Sequence, residues 1–227
     1  MGRKTLAGIV VLLVLAWGAS AMATESVTNC FIAGLDAGYV GYTGWMGKNL
    51  NGGLGGGLFF GYGITENFAM EIDWIPLLMA SPHGTDVKDI WDNSGFGGIG
   101  VGGGAFGGFG VSGKLYPRGR FRDADFVNWQ PFLMLGAGYM PFVFTYKSAA
   151  KPPTGESYDG FKSIYAYLGG GVEYMFNPHI GLNVNVRLWK FFQYGDSLQG
   201  YSLDSTFKSD ISGSMAYQAG LGLTFQW

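Results

Sequence analysis

Between Ser163 and Phe191 the chain alternates residue character with a period of two, interrupted once by Asn177, Pro178 and His179. Ala166, Leu168, Gly170, Val172, Tyr174 and Phe176 form one apolar row, while Tyr165, Tyr167, Gly169, Gly171, Glu173 and Met175 form the other. Beyond the turn, Ile180, Leu182, Val184, Val186 and Leu188 alternate with Gly181, Asn183, Asn185, Arg187 and Trp189. Closing the turn sets Tyr174 opposite Leu182 and Val172 opposite Val184, so the apolar rows of both strands share one face. A two-stranded ribbon with one apolar and one polar face does not stand alone in water. The rest of the chain must therefore supply more strands and a separate solvent for each face.

The same period recurs along the chain. Phe31, Ala33, Leu35, Ala37 and Tyr39 mark a first strand within Phe31 to Tyr42, followed by a loop from Thr43 to Gly53. Leu54, Leu58, Phe60, Tyr62 and Ile64 form the apolar row of a second strand, and Phe68, Met70, Ile72 and Trp74 that of a third. Closing the turn at Thr65 to Asn67 pairs Tyr62 with Met70, Phe60 with Ile72 and Leu58 with Trp74. Pro76 cannot donate to a ladder and places the third strand's end nearby, before a polar loop from Ala80 to Ser94. A glycine-dense fourth strand shows its facing only at Phe109, Val111 and Leu115 against Ser112 and Lys114. After a charged connection from Arg118 to Asn128, a fifth strand sets Leu133, Leu135, Ala137 and Tyr139 against Gln130, Met134, Gly136 and Gly138. Loops at Lys147 to Gly160 and Gln193 to Ser209 flank the first-described hairpin, and a last strand runs from about Ile211 to Trp227. Eight strands in up-and-down order allow a closed barrel without free edges.

The N-terminus carries Arg3 and Lys4, an apolar run from Leu6 to Trp17, and small residues ending at Ala21, Met22 and Ala23. That order predicts a signal peptide over residues 1–23, cleaved after Ala23, and a single domain over 24–227. Only 13% of residues are charged, about half the usual share, while 41 Gly, 18 Phe, 13 Tyr and 7 Trp favour closely packed strands with amphipathic anchors. A net charge of −2 without a basic run excludes nucleic acid as a partner. Cys30 stands alone and reads as a strand residue.

The bulky apolar rows are continuous, and the alternate rows hold Gly with scattered charges. An eight-stranded barrel has just enough interior for side chains to fill it, so small and polar residues suit its inside. The apolar rows then face outward, which requires hydrocarbon around them. Aromatic residues at row ends, including Phe31, Tyr39, Tyr62, Phe68, Trp74, Trp129, Tyr139, Tyr174, Phe176, Phe225 and Trp227, suit the two lipid boundaries. The fold class is all-β, a transmembrane eight-stranded antiparallel up-and-down β-barrel.

Leu54 to Trp74, Gln130 to Tyr139, Leu168 to Tyr174 and the terminal AYQAGLGLTFQW together resemble the eight-stranded OmpA-type family of Gram-negative outer-membrane barrels. The resemblance covers nearly all of residues 24–227 and implies location in that membrane, among its lipid and lipopolysaccharide. It does not extend to a periplasmic peptidoglycan-binding domain, so that anchoring role is not implied. Tyr217, Gly220, Leu223, Phe225 and Trp227 are similar to the family's terminal assembly signal, which the outer-membrane insertion machinery recognises.

The inward polar set is Asp36, Glu71, Asp73, Lys114, Gln130, Glu173, Asn183, Asn185, Arg187 and Gln218. Lys114 and Glu71 lie at similar heights on neighbouring strands, and Glu173 faces Asn183. Comparable networks in the family plug or gate a narrow water path, and buried charges must in any case be paired. Glu71 and Asp73 have no His or Ser nearby to complete an acid-base mechanism. His83 and His179 fall at opposite ends, and Asp86, Asp89 and Asp92 lack the spacing of a calcium loop. No catalytic set, metal or cofactor is expected, and a lipid-A-modifying enzyme lacks its rim His with Ser or acid. The expected protein is a monomeric structural barrel whose outer loops are available for adhesion or recognition. The alternative is a low-conductance porin or a side-opening channel for small apolar molecules.

Overall fold

The computed structural model describes residues 30–83, 91–97, 108–122, 125–126, 128–146, 158–193 and 212–227. The expected signal peptide, residues 1–23, and the acids Asp86 and Asp89 lie outside the described residues. In chain order the elements are β1 (Cys30–Tyr42), α1 (Gly44–Asn49), β2 (Leu50–Asn51), β3 (Gly53–Gly63), β4 (Phe68–Pro82), β5 (Trp91–Gly97) and β6 (Phe109–Leu115). They continue with β7 (Phe121–Arg122), β8 (Asp125–Phe126), β9 (Trp129–Tyr146), β10 (Tyr158–Asn177), β11 (Ile180–Gln193) and β12 (Met215–Gln226).

The ladder runs β1, β3, β4, then β5 and β6, then β9, β10, β11 and β12, every pairing antiparallel, and β12 returns to β1. Because β5 and β6 both lie between β4 and β9, they are two segments of one stave, and the barrel has eight staves. The seam closes over its whole length, from Ile32 with Gln226 to Tyr42 with Ala216. Phe31 and Trp227 then exchange backbone hydrogen bonds at 2.8 and 3.0 Å. Closure satisfies the backbone groups that an open sheet would leave bare in hydrocarbon.

Hairpin register follows the alternation. Tyr62 pairs with Met70, Phe60 with Ile72 and Leu58 with Trp74. Tyr174 pairs with Leu182 and Val172 with Val184. The facing is that of a barrel in lipid: Leu182 and Val184 are 36% and 53% exposed, whereas Asn183 and Asn185 are 2% exposed. Outward rings meet in pairs near both ends of the staves. Phe31 contacts Tyr62 and Trp227, with ring centroids 5.2 and 6.4 Å apart, and Trp129 contacts Tyr174 at 4.8 Å. At the other end Tyr39 lies 6.4 Å from Tyr217 and Phe109 6.3 Å from Tyr139. From Phe31 to Tyr39, or from Trp129 to Tyr139, a strand rising about 3.3 Å per residue at about 40° of tilt climbs roughly 20–25 Å. That height matches the apolar band of an outer-membrane barrel.

Several stretches differ from the expectation. The stretch Thr43 to Gly53 is not simply a loop. Gly44 takes φ +65°, α1 follows, and Met46 inserts fully buried while its N–H donates to Ser214 Oγ at 3.1 Å. An apolar side chain at the barrel mouth is drawn inside rather than left in water.

Strand β4 does not stop near Pro76 but continues to Pro82, so the expected loop from Ala80 to Ser94 is strand at both of its ends. The reason is a bulge. Leu58 pairs with Trp74 and Gly56 with Leu77, so Gly57 alone opposes Ile75 and Pro76. A bulged residue needs no ladder N–H, and a proline is tolerated there.

Toward β9, Gly97 pairs with Phe142 and Phe109 with Tyr139, so the two described segments of the fourth stave meet β9 on either side of Met140 and Pro141. Finally, Tyr158 to Gly160 and Gln193 are strand rather than loop, and the last strand begins at Met215 rather than Ile211.

These long strands give the wall unequal height. β9 runs from Tyr139 to Tyr146 beyond the loop-side ring pairs, whereas β1 runs only from Tyr39 to Tyr42. With the same rise and tilt, the two rims differ by roughly 10 Å.

Nitroxide labels on cysteines placed at Leu182 and Val184 should report lipid, and those at Asn183 and Asn185 a lipid-free interior; the reverse pattern would show the tube to be inside out. The closed ladder should also resist detergent until heated, giving a gel shift on boiling.

Candidate functional site in the lumen

Inward parity brings one polar side chain after another into a narrow interior. Lys114 on β6 and Glu71 on β4 sit on adjoining staves, offset by one pleat, and their charged atoms are 2.8 Å apart. The Lys114 ammonium also stands over the rings of Phe59 and Phe132, 4.6 and 5.0 Å from their centroids. Arg187 on β11 reaches past β12 to Asp36 on β1 at 2.5 Å, and its guanidinium lies 5.6 Å from the centre of the Tyr167 ring. The Tyr167 hydroxyl donates to Asp73 Oδ2 at 2.8 Å.

A second chain of contacts runs along the turn-side half. The Tyr116 hydroxyl donates to Glu173 Oε2 at 3.3 Å, and the Thr224 hydroxyl donates to Glu173 Oε1. Asn183 Nδ2 donates to Thr224 Oγ1 at 3.3 Å, and Asn185 Nδ2 to Asn183 Oδ1 at 2.8 Å. Gln130 turns elsewhere, donating to the Arg120 carbonyl at 3.1 Å. Gln218 faces the lumen beside Arg187 on the neighbouring stave, and its amide makes no side-chain hydrogen bond among the described residues.

Toward the loop side the interior is not the small and polar space the alternation implies. Tyr165, Tyr167, Trp189, Phe142, Phe191, Met140 and Leu78 are all buried there, and the Tyr165, Tyr167 and Trp189 rings lie 4.7 to 6.2 Å from one another. Glycines across the lumen wall make the room. A Cβ at Gly138 would stand 2.6 Å from the Tyr165 hydroxyl, and one at Gly136 would stand 2.7 Å from that of Tyr167. Bulk and absence of bulk thus occupy the same face of adjoining staves. The lumen is filled by a polar layer beneath an aromatic one.

Three participants were not among the sequence candidates. Tyr116 and Thr224 lie on the inward parity of their strands, after Ser112 and Lys114 and after Gly220 and Gly222, so the period alone points to them. Arg120 carries no such signal, because it follows a turn. It nevertheless is 0% exposed.

Four carboxylates, Asp36, Glu71, Asp73 and Glu173, share this space with two cations, Lys114 and Arg187. Each cation pairs with one of the carboxylates, and these contacts tie separate staves to one another. His179, in the turn, meets Gln226 O at 3.0 Å, while exposed His83 sits at the loop end, and no metal-binding group forms among the described residues.

Replacing Lys114 with Met leaves Glu71 buried without its cation, which should destabilise the barrel by about 3–5 kcal/mol. The double variant Lys114→Met/Glu71→Leu should regain much of that loss, as read from urea unfolding in lipid vesicles. Equal losses in the single and double variants would show that the pair is not coupled.

In sequence, the chain matches none of the curated proteins. Among solved structures, it is similar to neisserial surface protein A, with 13% identity over 86% of this chain and 96% of that one and a TM-score of 0.49. It is also similar to OprG from Pseudomonas aeruginosa, with 15% identity, 87% and 96% of the two chains covered and a TM-score of 0.45. A third is Ail, the attachment invasion locus protein of Yersinia pestis, with 10% identity, 88% and 99% covered and a TM-score of 0.46. A family model for the outer membrane protein beta-barrel domain matches residues 9–225, and the chain belongs to that family.

Proposed function

We propose that this protein is a mainly structural outer-membrane barrel that contributes to envelope integrity, with surface loops available for adhesion or recognition. The observation that carries this reading is the filled lumen. The pairs Lys114–Glu71 and Arg187–Asp36 lie below a layer of Tyr165, Tyr167 and Trp189, so the interior invests its side chains in mutual contact. A wide aqueous channel needs polar walls held apart, as larger barrels have.

The remaining parts of the proposal follow from the chain's two ends. Residues 1–23 act as an export signal cleaved after Ala23, leaving the barrel domain at 24–227. The insertion machinery reads Tyr217, Gly220, Leu223, Phe225 and Trp227 on the closing stave. The folded barrel, lacking a free edge, works as a monomer among lipid and lipopolysaccharide. No enzymatic step and no cofactor belong to this function.

The bulge that sets Gly57 against Ile75 and Pro76 favours one other reading, a side-opening channel for small apolar molecules. A wall short of ladder bonds at that height is the place where such a molecule would pass into lipid.

In planar bilayers the unmodified protein should give no discrete conductance steps. If Arg187→Ala or Glu71→Gln opens a path, current should favour cations, because the interior carboxylates outnumber the cations. Steps in the unmodified protein that change on either substitution would defeat the plug. Faster entry of a small apolar dye into cells expressing the protein would instead support the side opening.

A further inference from the structure

The connection after β6 is the longest of the links at the turn end, and its first residues do not simply hang in water. Tyr116 keeps the inward parity of Ser112 and Lys114 and is tied to the neighbouring turn in both directions. Its N–H donates to Asn67 O at 2.7 Å, and its carbonyl accepts from Asn67 Nδ2 at 2.7 Å. Pro117 and Arg118 then form an exposed turn, and Gly119, at φ +71°, reverses the chain. A left-handed residue at that point suits Gly and costs any other side chain more. Its consequence is that Arg120 points back under the barrel.

Arg118 and Arg120 are two residues apart and fare differently: Arg118 is exposed and Arg120 is fully buried. Burying an arginine is costly unless its donors are engaged. Here both terminal nitrogens are engaged, one from β1 and one from the turn after β3. Arg120 Nη1 donates to Cys30 Sγ on β1 at 3.4 Å, and Nη2 to Thr65 O in the turn after β3 at 3.4 Å. The backbone N–H donates to Glu66 O at 3.0 Å, and the guanidinium lies 5.3 Å from the centre of the Tyr116 ring. Gln130 on β9 holds the Arg120 carbonyl. At Gly63 on β3 a Cβ would collide with the guanidinium, so the absence of a side chain there is what admits it. From this one residue, contacts extend to β1, the β3–β4 turn and β9. Through the Tyr116 hydroxyl they continue to Glu173 in the polar layer.

We infer that Arg120 is the keystone of a floor across the turn-side mouth, a second seal in series with the lumen network and joined to it through Tyr116. The floor keeps small hydrophilic solutes on the turn side from reaching the lower lumen, whatever the state of the aromatic layer above. This inference extends the closed-lumen reading from one barrier to two.

Its test uses two small, fully buried, inward positions as reporters in a Cys30→Ser background, where the serine hydroxyl can still accept from Arg120. Ala69, paired with Gly63 and Lys114, lies just above the floor, and Ala216 lies at the loop end. Full-length barrels carrying Ala69→Cys or Ala216→Cys, folded in bicelles and checked by the gel shift on boiling, are treated with a negatively charged methanethiosulfonate reagent. Both reporters should react slowly while Arg120 is present. Arg120→Ala should raise the Ala69→Cys rate by about tenfold or more and leave Ala216→Cys unchanged, since labelling of a shielded site follows its local opening. Arg120→Lys, which keeps the charge but not the forked reach, should give an intermediate rate and serves alone if the alanine variant does not fold.

Unchanged rates at Ala69→Cys in both variants would overturn the floor. A parallel rise at both reporters would also overturn it, by showing general loosening. Fast labelling of both positions with Arg120 intact would overturn the closed lumen along with it, whereas slow labelling unaffected by Arg120 would overturn the floor alone.

Discussion

A backbone amide in hydrocarbon has no water to fall back on, so the ladder must close. The seam between β1 and β12 meets this demand from Ile32–Gln226 to Tyr42–Ala216, with Phe31 and Trp227 extending it to the chain's last residue. Everything else in the molecule follows from that ring. Closure of eight staves defines an interior too small to leave empty, and period-two alternation then assigns each residue to lipid or to the lumen. The hydrophobic effect, which packs the core of a soluble domain, here sets the outer face and also fills part of the interior, where Met46, Phe132 and Met134 are buried. The polar remainder of the inside must be held by ion pairs, hydrogen bonds and ring contacts.

The two interior layers divide that task in different ways. In the polar layer, Lys114 with Glu71 and Arg187 with Asp36 are each shielded from water, and each cation also faces a ring. Removing one member is therefore far worse than removing both. In the aromatic layer, tolerance depends on what faces the ring. Tyr165 and Tyr167 fit because Gly138 and Gly136 have no side chains. Many of the chain's glycines are best understood as the complement of someone else's bulk, and the composition of the strands is a property of pairs of staves rather than of single ones.

Alternation made the barrel legible from the chain alone. The register of both tight hairpins, the outward row from Leu182 to Leu188 and the inward positions of Asp36, Glu71, Lys114 and Arg187 all depend on a period that local sequence carries. Less legible was whatever breaks the period. Pro76 reads as a strand end until the bulge against Gly57 is seen, because a proline's missing N–H matters only if a partner wants it. Met46 reads as loop because nothing local says that its helix folds inward. Trp189 and Tyr165 lay on the inward parity, yet their share of the lumen was hidden, since the space they occupy is made by glycines on other staves. Arg120 is the extreme case. Its burial depends on a chain reversal at Gly119 and on acceptors from residues far away in sequence.

The unequal height of the staves gives the barrel an oblique crown. β9 continues well past the ring pairs that mark the lipid boundary, while β1 ends soon after them. Among the described residues, hydrogen-bonded backbone therefore stands about three to four residues higher on the β9 flank than on the β1 flank, so the ladder itself, and not only the chain that joins its strands, projects past the lipid boundary on one side.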